Sequence, residues 1–501
     1  MADLPVGAYR GGSLDCQLIY DMDDLPIGYT QRGKDVYFPR TNIDSGTGKV
    51  TGLVGPDGSV ISFSGATPTT FIGQRVLYQP TSSADHGAVS GAGAVTAYKV
   101  QDGVPVVSVT AASGVNTTLN FSAFTGRLIA EGKASFSFYV PDMVKLGSLT
   151  LYLGDNGSFT NSFSCSLSNS SAFPVSGWYT IVVDPISTGA WSTLTETSQR
   201  KWAVATGTPD FATTLFTNAK VMISTASGVP CEVMFAECAI GKDNSKGTIT
   251  FVMDDGGSTQ YQRAMPILER YGMRASLGII ATLAGQANYM TVANLKNVVA
   301  RGHECVVHGS TTLTDLASQA AIETEIKVNR DFLINNGLAV NDSEKIYLYP
   351  QNVVRGAGTG GLVGNDGGEL IRSALVNTGF IGARTTSVTG VLVDKYMGLG
   401  GRWCIPEIGH RAAIDTEANE TANVDRVILR MQQAISLGRG VVITNHNIVA
   451  DTPGVAPTST IDIQVSNYAR IVKAAYDLVS TGRAENVLLS TLVKRCIGST
   501  N

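Results

Sequence analysis

From about residue 246 to the C-terminus, short apolar runs alternate with amphipathic stretches, and this alternation constrains the fold more than any other feature of the chain. The runs are "TITFVM", "ASLGII", "ECVVHG", "IYLYP", "IGARTT", "GVVITNH" and "NVLLST". Between them lie "YQRAMPILERYG", "TVANLKNVVARG", "AAIETEIKVNRDFLINNG", "VDRVILRMQQAISLG" and "YARIVKAAYDLVSTG". Their apolar residues recur at helical spacing, and each ends at glycine, the common C-terminal cap. Strand and helix in alternation predict a parallel sheet, closed as a barrel or wound open. Such sheets keep their chemistry at the C-terminal ends of the strands.

One such end reads "TFVMDDGGS", residues 250–258. Two adjacent carboxylates, Asp254 and Asp255, follow a buried-looking strand and precede glycines that let a ligand approach the backbone. Like charges side by side raise each other's pKa, so the pair requires a reason. Four of the five histidines, His303, His308, His410 and His446, fall in the same region. His308 follows "ECVV" and His446 follows "GVVITN", which puts both on the rim of Asp254 and Asp255 if the strands are parallel. A carboxylate and an imidazole there suit a divalent metal, zinc above others. The second carboxylate would then serve as a base and His446 as an acid.

The text before residue 246 is different. Residues 1–65, with "GPDG" between valine-containing runs, predict a small β-rich module. Residues 66–240 hold only 18 Asp, Glu, Lys and Arg in 175 positions, too few for solvated helix faces. Alternation in "ASFSFYV", "SLTLYLG", "GWYTIVVD" and "CEVMFAECAI" predicts an antiparallel sandwich. Trp178, Tyr179, Trp191 and Trp202 are candidates to stack on sugar rings or, equally, to fill its core. The expected domains are therefore 1–65, 66–245 and an α/β domain over 246–501. A net charge of -4 argues against a nucleic-acid footprint. The start "MADLPVGAYRGG" lacks a signal-peptide pattern and no run approaches a membrane span, so neither conventional export nor membrane insertion is expected. Seven cysteines without close pairs predict buried free thiols.

"TFVMDDGG", "RGHECVVHGSTT", "IYLYPQN" and "GVVITNH", in this order, resemble the polysaccharide deacetylase family with the NodB homology domain, the metal-dependent carbohydrate esterases. The resemblance covers about half of the chain and implies a distorted (β/α) barrel. It implies Asp254 as base, Asp255 and His308 as metal ligands, His303 as a supporting histidine and His446 as catalytic acid. In the third motif it implies Tyr349 as support and the backbone N-H of Gln351 as the oxyanion donor. Two departures stand out: Thr312 occupies the position of the second metal histidine, and Leu348 that of the arginine that orients the base. Thr312 or His410 is the candidate to complete the metal set. The Gly-rich "RGAGTGGLVGNDGG" lacks a phosphate-loop ending and reads as a mobile loop over the site.

A small N-terminal module, a charge-poor β domain and a C-terminal carbohydrate-active domain are together similar to bacteriophage tailspike and tail-fibre proteins. That resemblance implies a virion location, attachment to phage tail proteins through residues 1–65, and a homotrimer. The expected activity is removal of acetyl groups from a bacterial surface polysaccharide, capsule or O-antigen. The alternative is a receptor-binding tail protein whose degenerate domain only grips host glycan, and a third reading is a purely structural tail component.

Overall fold

The computed structural model describes the strands within residues 6–101, and residues 104–121, 133–168, 176–187, 201–226, 228–241, 246–316, 318–350, 369–384, 407–409, 417–436, 438–452 and 462–496, with a few single positions between. The chain divides into two compact units, residues 1–67 with 102–104, and the remainder. The first contains two small antiparallel sheets. Val6–Gly7, Cys16–Tyr20, Pro26–Gln31 and Lys34–Tyr37 form one, and Arg40–Ile43, Val50–Val54 and Val60–Ser62 the other.

The second unit begins with a twelve-stranded arrangement, mostly antiparallel, in which Gly177–Ser187 runs parallel to Lys201–Thr206. Its long strands alternate as a sandwich requires: in Asn218–Thr225, Ala219, Val221 and Ile223 are buried and their neighbours are not. The inward residues of Val104–Ala111, Lys133–Val140 and Cys231–Gly241 meet those of Thr117–Phe121, Leu146–Gly154, Ser162–Ser168 and Asn218–Thr225 in one apolar core. Trp202 lies wholly inside, Tyr179 stacks on Phe138 at 5.8 Å, and Trp178 sits edge-on to Tyr139. Tyr179 and Trp202 fill the sandwich core, Trp178 is buried on the other face of its sheet against Tyr139, and none of the three is an exposed platform for sugar; Trp191 lies outside the described residues. Cys165, Cys231, Cys238 and Cys305 are buried, and burial pushes the thiols of Cys231 and Cys305 up to about 12.

The C-terminal region is a parallel sheet with helices. Its elements are β1 (Gly247–Met253), α1 (Met265–Arg270), β2 (Ala275–Ile279), α2 (Val292–Ala300), β3 (Glu304–His308), α3 (Gln319–Asn335), β4 (Ile346–Leu348) and α4 (Glu369–Asn377). Then follow β5 (Gly382–Arg384), β6 (Ile408–Gly409), α5 (Glu417–Ser436), β7 (Gly440–Asn445), β8 (Asn447–Val449), β9 (Asp462–Gln464), α6 (Val465–Ser480), β10 (Ala484–Asn486) and α7 (Leu489–Cys496). The order is β5-β4-β3-β2-β1-β7-β6, with β10 also on β1, and every pair is parallel. β1 is buried at all seven positions, as a central strand covered on both faces must be. Ile249, Phe251 and Met253 face the helices, among them Met265, Leu268 and Leu295. Val252 faces the other way, with Val306, Ile346, Leu348, Val442 and the α7 residues Leu489, Leu492 and Val493.

The sheet curls because one short piece of chain touches both of its ends. Ile405 pairs with Arg384 of β5, and Ile408 pairs with Ile443 of β7. Residues 405–408 thus bring the two edges towards each other as a curled, partly closed barrel. Among the described residues no helix is long and apolar enough to cross a membrane.

Candidate active site

The inner face of the sheet changes character at its C-terminal rim. Side chains alternate in strands, so the inward position after Val252 is Asp254, that after Val306 is His308, and the inward series Val442, Thr444 ends in His446. Ladder pairing continues the layer sideways: His308 opposes Leu348, and Leu348 opposes Arg384. An apolar layer therefore carries a layer of titratable groups at its upper edge. Gly278 on β2 leaves the room they need, since a Cβ there would stand 2.5 Å from Leu348 Cδ1 and 3.1 Å from His308 Cδ2.

Asp254 is the centre of this layer and is 2 % exposed. Its Oδ1 accepts from Arg384 Nη2 at 2.5 Å, and its Oδ2 faces two imidazoles, His446 Nε2 at 3.7 Å and His308 Nε2 at 4.0 Å. Arg384 donates its other terminal nitrogen to Glu407 Oε2 at 2.5 Å, and both side chains are removed from water. Burial alone would push the Asp254 carboxyl up; the charge of Arg384, joined by His446 and His308, overrides it and holds the group down at about 2. Asp254 is accordingly an anion at neutral pH with one oxygen fixed and one turned to the histidines.

Asp255 is partly exposed and turned by an unusual backbone. Its φ of 72° is a left-handed conformation that costs an aspartate of order 1 kcal/mol, and Gly256 follows at 71°. The turn brings Asp255 Oδ1 to 3.7 Å from His308 Nε2. His308 Nδ1 lies 2.8 Å from the carbonyl of Gly309, which can only accept, so the proton of the neutral ring sits on Nδ1. In that form Nε2 presents a lone pair to two carboxylates, an arrangement that a proton on Nε2 or a cation among the three groups relieves. The donor set fits a divalent ion: the 3.7 Å separation is close to that of two ligands on one zinc with bonds of about 2.1 Å. No group of three or more His, Cys, Asp and Glu suited to a metal occurs among the described residues.

The other residues singled out in the sequence are placed as follows. His303 is not brought to the rim. It stands just before β3, at the opposite end from His308, where Nδ1 accepts from Ala275 N at 3.0 Å and Nε2 lies 3.0 Å from Glu269 Oε1, so it ties β2 to α1. Tyr349 presents its ring to the outer core beside Tyr347, and its N-H donates to the carbonyl of Arg384 at 3.1 Å. Thr312 is nearly buried at the start of a short turn, 313–315. Gln351, His410 and the Gly-rich stretch lie outside the described residues. Arg384 and Glu407 were not singled out. Each is a charged residue inside an apolar run, "IGARTT" and "IPEIG", and a charge in that setting implies a buried partner. Leu348 holds the position at which the resemblance implies an arginine, and Asp254 takes a guanidinium from the next strand, that of Arg384.

Residues 241–353 match the family model described as Polysaccharide deacetylase. Among solved structures this chain is similar to a family 4 carbohydrate esterase from Streptomyces lividans in complex with acetate. The identity is 18% over 48% of this chain and 91% of that one, with a TM-score of 0.29. It is also similar to a family 4 acetyl xylan esterase from Clostridium thermocellum in complex with a cobalt ion, at 15% identity over 49% and 89%, TM-score 0.29. A family 11 carbohydrate-binding module from Clostridium thermocellum is similar at 14% identity over 35% and 98%, TM-score 0.24. No curated protein matches the chain. The deacetylase match ends before Arg384, Glu407 and His446, so the groups that gather round Asp254 from the later strands are known from geometry alone.

Proposed function

We infer that this protein hydrolyses acetyl groups on a bacterial surface polysaccharide, capsule or O-antigen, as a tailspike-type deacetylase of a bacteriophage. The observation that carries the hydrolytic reading is the division of Asp254, one oxygen on Arg384 and the other open towards His446 and His308. Asp254 accepts the proton of the attacking water, and Arg384 holds its carboxylate in the one orientation that faces the histidines. His446, beside it and only partly buried, delivers a proton to the departing sugar oxygen or nitrogen. A divalent ion, zinc by the chemistry of its donors, would be held by Asp255 and His308, with Thr312 or His410 as candidates for a further ligand, and would polarise the acetyl carbonyl. The N-H of Gln351 is the proposed oxyanion donor. Finding an arginine on Asp254 removes one of the two grounds for a purely sugar-gripping domain.

The virion context is proposed from the organisation of the chain: a small β-rich N-terminal module for attachment to the tail, a charge-poor sandwich, and the enzyme last. The direct test is acetate release from acetylated bacterial polysaccharides, with zinc supplied. The protein is expected to release acetate, and Asp254→Asn to lose about 10³-fold of the rate. A wild-type protein that binds the glycan and releases nothing overturns the reading.

A further inference from the structure

β1 and β7 carry the base and the acid, and their ladder ends with Asp254 N donating to Asn445 O at 3.1 Å. Beyond that bond the carbonyls of Asp254 and His446 leave the sheet, and buried carbonyls must find donors elsewhere. Both find the same one. Gln260, wholly buried, donates Nε2 to Asp254 O at 2.5 Å and to His446 O at 2.9 Å. An amide nitrogen has two hydrogens, one for each carbonyl. The opposite amide orientation would set an oxygen against two oxygens, so the chemistry fixes the assignment. Gln260 Oε1 has no partner among the described residues, so the side chain is committed to its two donations.

Local structure delivers Gln260 to this point. Residues 257–260 turn sharply, with Gln260 N donating to Gly257 O at 3.1 Å, and Gln260–Ala264 is wound as a wide π-turn before α1. A Cβ on Gly257 would press against Asn447 Oδ1 at 3.2 Å, so glycine lets the turn lie against the chain after His446. The same turn makes two further bonds there, Ile448 N to Thr259 Oγ1 at 3.3 Å and Arg263 Nη1 to Ile448 O at 2.8 Å. Those bonds hold the loop, whereas only Gln260 reaches the main chain of the two reacting residues.

Resting on the deacetylase reading, we propose that Gln260 is a positioning residue that sets the separation of the Asp254 carboxylate and the His446 imidazole by holding both main chains with one amide. An error of about 1 Å in such a separation can cost about 10²-fold in rate. The test compares Gln260→Met, of similar length without a donor, with wild type and with Arg263→Met, which loses a bond to the same loop. Two acetyl esters are used with zinc supplied: a sugar acetate, whose alkoxide needs a proton from the acid, and 4-nitrophenyl acetate, whose leaving group does not. For Gln260→Met the sugar-acetate kcat is expected to fall about 100-fold and the 4-nitrophenyl acetate kcat about 10-fold at most, with each KM within about twofold. Arg263→Met is expected to keep both rates. Gln260→Asn, which keeps the amide but falls one methylene short, should show the same difference between esters, and decides the matter if the Met variant does not fold. Equal losses on both esters, an Arg263→Met variant as impaired as Gln260→Met, or an unchanged kcat in an active protein would each overturn the proposal. A wild-type protein inactive on both esters rejects the deacetylase reading first, and the inference falls with it.

Discussion

An arginine held out of water between two carboxylates costs much desolvation and is retained only where both partners stay in place. Arg384 is in that position between Asp254 and Glu407. Arg384→Met would leave two anions facing each other inside the barrel, so it is expected to destabilise the protein by about 3–5 kcal/mol and to lower acetate release by about 10²-fold. Thermal unfolding and an acetate assay check the two halves separately. His303 makes a different prediction. Burial pushes its pKa below 6.5, against the pull of Glu269, so the ring is neutral when folded and takes up a proton on unfolding. Stability should therefore fall as pH drops below 6.5 towards the folded value, by at most about 1.4 kcal/mol per pH unit from this group. His303→Gln should flatten that part of the profile, as chemical denaturation at pH 5 and pH 7 would reveal. The residues legible in the sequence were those at the ends of quoted strands: strand parity carries Asp254, His308 and His446 to one rim, and Asp255 comes to it through the left-handed turn. Arg384 and Glu407 were not legible, because their meaning lies in partners 130 and 23 positions away.

Among elements, the parallel strands were readable from their apolar runs, and six of the seven quoted runs contain a strand of the curled sheet; the seventh, "NVLLST", is corrected, since only its first residue ends β10 and its last three begin α7. Two-residue β6 was not readable, since so short a piece has no periodicity and is a strand only by its neighbours. The sandwich aromatics were ambiguous for a related reason: alternation says that one face is buried, but a tryptophan suits either face. β2 offers a test of how tightly the rim is packed. Gly278→Ala puts a methyl group against Leu348 and His308, and such overpacking is expected to cost about 1–3 kcal/mol. If His308 is displaced with it, zinc bound per chain, measured by mass spectrometry, should fall towards that of His308→Ala.

At the scale of the whole molecule, a net charge of -4 on 501 residues leaves little long-range field, so recognition of the proposed glycan would rest on local contacts instead of steering. The proposed virion protein is expected to sediment as three 52.6 kDa chains; a monomer at micromolar concentration would remove the tailspike part of the reading and leave the hydrolase part standing. The joining of the sheet's ends by residues 405–408 bears on the order of assembly. Glu407 lies within this piece, and Ile405 is laddered to Arg384. The anion that fixes Arg384 therefore takes its place only when the piece that joins β5 to β7 is seated. A chain with most of its parallel sheet but open edges would have its carboxylates and histidines and still be catalytically silent. Return of activity on refolding is thus expected to report the seating of that piece and not the formation of the strands themselves.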